Sequence, residues 1–417
     1  MAPMEDPSTL LGTQAARMFR EVLAATHLSR PGELTRLLGE CARYIGAVEL
    51  VLYLIDYEQS ELLPAPGPHA DSRSVQRVEG TLAGRCFAQT SIQDLDGPAP
   101  GTRRLWIPLL DGTERLGVVE MILAESGAEV SPELVEICER LSHLAAQLVV
   151  GKSHYGDVFE LVRRRRPMTV AAEMQWNLLP PLVFATSGLV IAALLEPAYE
   201  VGGDSFDYAV NDTTAHFAVF DAMGHGLSAA VTASVAIAAY RNARRRLLDL
   251  AGTYAEIDAA IARQFGGERY ATAVLARLEI ETGTLTWVSA GHPAPLLLRA
   301  GKLVKVLDAP ASPPLGVQVH DEAPVAARES LEPGDQILFY TDGLVEARDP
   351  DGGFFTVERL AAFLEKEAAA GFPAPETLRR LRHAVLSYQN GKLQDDATAL
   401  LVDWRRGTED ALVPQTI

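Results

Sequence analysis

Cysteine is scarce in this chain. Three are present in 417 residues: Cys41, Cys86 and Cys138. An odd number, widely spaced among apolar neighbours, argues against a disulfide framework or a zinc site and reads as three reduced core residues. Basic charge is also in short supply, with 37 lysines and arginines against 55 acidic residues and a net charge of −18. That balance speaks against nucleic acid or an anionic membrane surface as a general partner. Anions can still be held locally where metal ions supply the positive charge. The longest apolar runs, such as Val231–Tyr240, are too short to cross a bilayer and read as buried helices. Residues 1–8 lack the basic-then-apolar pattern of a signal peptide, so a cytoplasmic location is expected. No internal repeat is visible.

What is present is the composition of a globular chain, 48% hydrophobic and 22% charged. The length exceeds what one core usually supports, so two domains are expected. Residues 8–28 predict a lead-in helix. A second helix over 31–45 carries Leu34, Leu37, Leu38, Cys41 and Ile45 at helical spacing. A strand over 48–56 follows, then a short helix near 82–89. Strands over 105–110 and 116–123 flank Asp111-Gly112, a hairpin turn. This order, with Trp106-Ile-Pro-Leu-Leu and Leu116-Gly-Val-Val-Glu-Met-Ile-Leu, resembles a GAF sensory domain over roughly residues 25–150. The resemblance implies an α/β sensor that takes an unknown small ligand or partner protein, or that dimerises; a packed fold with no ligand is the alternative. Nothing resembles the family's cyclic-nucleotide signature, and Cys86 has no chromophore-attachment pattern.

Leu134, Leu141, Leu148, Tyr155 and Val162 recur every seven residues, and Cys138, Ala145 and Phe159 fall four places after members of that series. A sevenfold repeat predicts a two-stranded coiled coil and hence a homodimer through this helix. The alternative is one amphipathic helix folded back on the first domain. Gly151-Lys152 interrupts the repeat as a hinge. Arg163–Arg166 end at Pro167, which stops the helix. They read as a solvated helix end, or as a contact for an acidic surface of the next domain. A further helix is expected over Ala171–Pro180. The organisation expected is a helix over 1–27, a GAF-like domain over 28–130, a helical linker or coiled coil over 131–184, a second domain over 185–405 and a flexible tail over 406–417.

From about residue 186 the pattern changes to repeated strands. They are legible at 189–195, 207–210, 215–220, 271–279, 284–289, 294–298, 336–341 and 397–404, with helices at 227–248, 357–369 and 376–388. Many antiparallel strands with a few helices predict an α+β layered domain.

Four aspartates stand where these strands meet turns: Asp204, Asp221, Asp342 and Asp395. The midpoint between 204 and 221 falls in the turn Asn211-Asp212-Thr213, so pairing of the flanking strands sets Asp204 opposite Asp221. Like charges placed so need compensation, and a divalent cation is the natural candidate. Asp342 ends one apolar strand and Asp395 begins another. If those strands are antiparallel neighbours, all four carboxylates line one edge. An all-oxygen set suits Mg²⁺ or Mn²⁺, and two such ions activate a water for attack on phosphorus. Each aspartate alone has a plain reading as a turn or strand boundary.

The blocks Glu196-Pro, Val201-Gly-Gly-Asp204-Ser-Phe-Asp207, Val219-Phe-Asp221-Ala-Met-Gly-His-Gly, Ser289-Ala-Gly-His-Pro, Pro314-Leu-Gly-Val, Leu338-Phe-Tyr-Thr-Asp342-Gly-Leu-Val-Glu-Ala and Asp395-Asp-Ala-Thr follow one another in order. As a set they resemble the PPM (PP2C-type) metal-dependent Ser/Thr phosphatases, in the bacterial SpoIIE-like branch. The resemblance implies an α-β-β-α sandwich and two Mn²⁺ or Mg²⁺ ions. It also implies that Asp221 bridges the metals, that the Ala222 carbonyl is a further ligand, and that Asp204 serves one metal and Asp342 with Asp395 the other. Asp207 and Asp396 are expected in an outer shell. Ser205-Phe206 departs from the aromatic pair usual in the family, and the substrate-phosphate arginine of the eukaryotic relatives is missing. His225 and His292 read as proton donors or, more simply, as residues that fix loop geometry. The substrate implied is a phosphorylated anti-sigma-factor antagonist. Rival readings are a catalytically silent phosphatase fold used as a binding module, and a first half that serves mainly as dimeric scaffolding.

Overall fold

The structure, a computed structural model, describes residues 7–124, 129–200, 202–318, 323–391 and 393–413. It divides into two units, residues 1–165 with 410–417, and residues 166–409.

In the first unit, α1 (Pro7–Thr26) and α2 (Leu34–Ala42) precede β1 (Ala47–Ile55) and β2 (Glu61–Pro64). Next come β3 (Gln76–Arg77), α3 (Leu82–Gln89) and β4 (Gln93–Asp96). The expected hairpin is β5 (Arg103–Asp111) and β6 (Glu114–Leu123), turning at Gly112 with φ 60°. The six strands form one antiparallel sheet in the order β3-β2-β1-β6-β5-β4. Alternation along the strands divides the core. Leu50, Leu52, Leu54, Ile107 and Val119 pack towards α1 and α2, while Tyr53, Trp106 and Val118 pack with Phe87 and Cys86 of α3. All three cysteines are buried and free, and burial pushes the Cys138 thiol up to about 12.

α4 (Pro132–Ser153) and α5 (Val158–Arg163) complete this unit. The Ser131 hydroxyl accepts from the Leu134 N–H and starts α4. Here the linker expectation over 131–184 needs correction. The heptad residues Leu134, Cys138, Leu141 and Ala145, with Phe159 of α5, are buried in the same core as α1 and α2. The helix is folded back on its own domain, and these heptad positions are covered there, whereas Tyr155 of the same series is exposed. Arg163 stacks on Tyr57 and donates to the Ile55 carbonyl, Arg164 lies 3.7 Å from Glu160, and Arg165 lies 2.6 Å from Glu61. The arginine run is partnered rather than a solvated end. The tail is corrected too. Residues 409–412 form a 3₁₀ turn, Leu412 is buried, and Thr90 Oγ1 donates to the Ala411 carbonyl at 2.6 Å. Residues 414–417 lie outside the described residues.

Glu139 of α4 is buried, and its Oε2 has no hydrogen-bond partner among the described residues. Desolvation, with a smaller push from Glu136, raises its pKa from 4.5 to about 7. Between those values the folded state keeps a proton the unfolded chain has released, so stability falls as pH rises. Glu139→Gln is expected to raise the melting temperature at pH 8 by a few degrees, about 1 kcal/mol, and to change little at pH 4. Melts at the two pH values check this; equal shifts at both would reject a buried charge as the cause.

In the second unit, α6 (Val170–Leu178) leads into β7 (Val183–Thr186) and β8 (Leu189–Glu196). The hairpin β9 (Asp204–Asn211) and β10 (Thr214–Ala222) is followed by α7 (Leu227–Arg245) and α8 (Leu250–Phe265). β11 (Ala271–Glu279), β12 (Thr284–Ala290), β13 (Leu296–Arg299) and β14 (Lys302–Val306) come next, then the short β15 (Ala311–Ser312) and β16 (Ala327–Ser330). The chain ends with β17 (Gln336–Tyr340), α9 (Asp342–Val345), α10 (Val357–Ala369), α11 (Ala374–Tyr388) and β18 (Ala397–Trp404). One sheet runs β15-β12-β11-β10-β9, with β16 beside β12; the other runs β14-β13-β17-β18-β8-β7. Their inner faces meet in a core that includes Phe206, Phe217, Val219, Ile337, Phe339, Leu400 and Val402, with Phe217 stacked on Phe339 at 5.7 Å. Alanine-rich α7 lies with α8 on the outer face of the first sheet, and α11 lies against β8 and β18 of the second. This is the expected α-β-β-α sandwich. Among the described residues no helix is long and apolar enough to cross a membrane.

Candidate metal centre

β9 and β10 pair in the register that the spacing predicts, with Asp221 opposite Asp204. Phe206 and Val219, two residues from each, point into the sandwich core, so both carboxylates project on that side, at its rim. In the second sheet Tyr340 pairs with Ala399, which brings the end of β17 beside the start of β18. Thr341 N donates to the Thr398 carbonyl at 3.0 Å, and Asp342 and Asp395 follow and precede this junction.

Two residues tie the edges together. Thr341 Oγ1 donates to Asp204 Oδ2 at 2.6 Å and accepts from Thr398 N at 2.9 Å. Asp396 Oδ2 accepts from the backbone N–H groups of Gly202 and Gly203, each at 2.7 Å. The close approaches demand glycine at two places. A Cβ on Gly343 would lie 1.8 Å from the Asp396 carbonyl oxygen, and one on Gly203 would lie 2.1 Å from the Ala222 carbonyl oxygen.

The electrostatics show five aspartates in one neighbourhood. Burial, reinforced by Asp342, Asp395 and Asp396, raises Asp221 to about 7. Burial and then Asp221 hold Asp204 well above the usual carboxylate range, while the Thr341 hydroxyl acts the other way. Asp342 is raised by burial, Glu346 and Asp395. Asp396 is raised to about 6 by burial, against its backbone hydrogen bonds. Among the described residues no three such side chains converge tightly enough to enclose an ion as they stand. The donor set nevertheless fits a hard cation: every group is an oxygen, and their mutual repulsion is what a cation would neutralise.

Not every expected residue is in this cluster. Asp207 lies an odd number of residues from Asp204 and so faces the other side of the sheet. There it is buried and bonded by Arg241 at 2.8 Å and Arg244 at 3.0 Å, both on α7. It anchors that helix and has no outer-shell place at the aspartate cluster. His225 is exposed in the loop between β10 and α7. His292 is buried, its Nδ1 lies 2.8 Å from Thr272 Oγ1, and burial lowers its pKa to about 4. A neutral, buried ring with this bond fixes the loop; Thr272 is itself the cross-strand partner of Asp221. Ser205 is buried with its hydroxyl unpartnered among the described residues.

Beside Asp342 and Asp395 opens a cavity of about 220 Å³, lined also by Glu346, Arg348, Gln389 and Gln394. The last four were not singled out from the sequence. The available signal was that Glu346 and Arg348 lie four and six residues beyond Asp342, on the turn its strand end opens.

The family model described as stage II sporulation protein E (SpoIIE) matches residues 211–405. The C-terminal domain matches that SpoIIE model over most of its length. The SpoIIE match takes in Asp221, Asp342 and Asp395, and Asp204 joins them through the β9–β10 pairing. Phosphoserine phosphatase RsbU of Bacillus subtilis (strain 168) is 24% identical over 234 residues, which is 56% of this chain and 68% of RsbU. Phosphoserine phosphatase RsbP of the same organism is 25% identical over 188 residues, 44% of this chain and 46% of RsbP. Among solved structures, the RsbU and RsbW domains of a Mycobacterium tuberculosis protein share 26% identity at a TM-score of 0.47, covering 54% of this chain and 63% of that one.

Proposed function

We propose that the C-terminal domain is a metal-dependent phosphatase for phosphoserine or phosphothreonine in a protein. The substrate would be an anti-sigma-factor antagonist or similar partner-switching protein, and the first unit a GAF-like regulator. The observation that carries the reading is the gathering of Asp204, Asp221, Asp342 and Asp395 at one edge, each of the first three with a raised pKa. The names of RsbU and RsbP support the substrate class. Asp221 would hold both metals, the Ala222 carbonyl would be a further ligand, Asp204 would serve one metal, and Asp342 with Asp395 the other. Two Mn²⁺ or Mg²⁺ ions so held supply a water of lowered pKa and neutralise phosphoryl charge. The chain's own part is positional. Thr341 orients the Asp204 carboxylate by its hydrogen bond, and Asp396 holds the 202–204 backbone so that Asp204 stays opposite Asp221.

Support for regulation lies in the first unit. A cavity of about 190 Å³ sits where α4 ends and α5 begins, walled by Leu54, Leu116, Val149 and Phe159 with Glu160 and Arg163 at its polar side. It is a candidate seat for a small ligand. The test is release of phosphate from a phosphoserine peptide with Mn²⁺, for the full chain and for residues 166–409. Activity in both that vanishes in EDTA is expected, at different rates. Absent turnover in both would leave the binding-module reading in place, metal-independent turnover would reject the metal mechanism, and equal rates would remove the regulatory reading.

A further inference from the structure

The cavity beside Asp342 and Asp395 is acidic except at one point. Of the residues that line it, Arg348 alone carries positive charge; Asp342, Asp395 and Glu346 carry negative charge and Gln389 and Gln394 none. Arg348 is exposed, and its guanidinium stacks on Phe354 at 4.7 Å. None of its side-chain N–H groups is taken by another described residue, whereas Arg241, Arg299, Arg379 and Arg382 of the same unit are all ion-paired.

The loop that carries Arg348 is closed on itself. Arg348 and Phe354 form a β-bridge, and Asp349 N donates to the Gly353 carbonyl at 2.9 Å. The Asp349 carboxylate accepts from Gly353 N at 2.7 Å and Asp351 N at 3.0 Å. Tyr388 of α11 donates to Asp349 at 3.1 Å. Gln394, the residue before Asp395, donates to the Arg348 carbonyl at 3.4 Å. An arginine on a braced loop, with unused donors, beside two exposed carboxylates, is built to hold an anion that enters the cavity. A guanidinium presents paired donors that match a phosphoryl group, and little ordering remains to be done when the loop is already fixed.

We infer that Arg348 binds the phosphoryl group of the substrate and positions it against the aspartate cluster. The inference rests on the phosphatase reading above, since it is the substrate of that same site that Arg348 would hold.

The experiment uses the full chain as wild type, Arg348→Ala and Arg348→Lys, with p-nitrophenyl phosphate and a phosphoserine peptide in Mn²⁺. Loss of a charge-assisted contact is expected to raise KM about tenfold or more for both substrates and to change kcat much less, with partial recovery in the lysine variant. Titration calorimetry of inorganic phosphate into the Mg²⁺-loaded chain should show the same loss of affinity. Unchanged KM and unchanged phosphate affinity would overturn the assignment. A rise for the peptide alone would also overturn it, moving Arg348 to a carboxylate flanking the phosphoserine. A wild type without metal-dependent turnover sinks the phosphatase reading, and the phosphate titration then still decides Arg348.

Discussion

Asp221→Asn is expected to abolish metal-dependent hydrolysis and, in the same preparation, to make the metal-free chain harder to melt. The two effects have one cause. Asp221 sits opposite Asp204, and burial together with Asp342, Asp395 and Asp396 raises it to about 7 from 3.8. The folded, metal-free chain therefore holds a proton that the unfolded chain gives up near pH 4, and its stability declines as pH rises from about 4 to about 7. Removing the carboxylate lifts that penalty at pH 8, by about 1–2 kcal/mol once partial solvent screening is allowed for. At pH 4 the same substitution should do little. On the activity side, the residue expected to bridge both ions is gone, and the loss should be about a thousandfold or more. Melts in EDTA at both pH values, beside Mn²⁺-dependent hydrolysis of p-nitrophenyl phosphate, check the pair. A variant that is inactive and also less stable in EDTA at pH 8 would contradict the repulsion account and point to a plain folding defect.

Gly203→Ala should cost nearly as much function without removing one ligand. The new Cβ would stand 2.1 Å from the Ala222 carbonyl oxygen and 3.0 Å from its carbon, both backbone atoms. No flexible side chain can move aside, so β9 must shift against β10 where Asp204 and Asp221 face each other. The shift displaces the carbonyl expected to serve as a ligand. Mn²⁺ affinity should fall by about 10- to 100-fold, the scale seen when supporting contacts of a metal site are lost. Overpacking should also lower stability by about 1–3 kcal/mol. Titration calorimetry of Mn²⁺ into the variant measures the first effect. Gly151→Ala in α4, where a Cβ meets nothing within 4 Å, is the control expected to leave affinity unchanged. Wild-type affinity in Gly203→Ala would show that the Ala222 carbonyl is not part of the site.

The aspartate cluster was legible because it depends on register, and register follows from turn position. Asn211-Asp212-Thr213 sits midway between Asp204 and Asp221, and the structure pairs them. The same arithmetic should have excluded Asp207. An odd offset along a strand reverses the face, and Asp207 pairs with arginines of α7 instead. α8 went unread although Asp249 caps it by accepting from Gly252 N and Gly266 closes it in the left-handed region. Its start was hidden because Leu247 and Leu248 seemed to prolong α7, whereas Leu247 turns the chain at φ 58°. The heptad was real as a period. A period shows that one face is apolar and says nothing of what covers it, and here Leu134, Cys138, Leu141 and Ala145 meet their own sheet. Edge strands such as β14 and β16 are short and largely exposed, so no alternation announced them.

The four aspartates are shared evenly, Asp204 and Asp221 on one sheet, Asp342 and Asp395 at strand ends of the other. An ion that drew on both pairs would therefore be a removable stitch between two layers that are otherwise held at this rim by the Thr341–Asp204 bond and by the Asp396 bonds to the 202–204 backbone. A stitch works in both directions. Whatever slides one layer against the other alters the grip on the ion, and whatever strips the ion frees the layers to slide. A regulator would not have to reach the aspartates at all; it would be enough to take hold of one layer and lean.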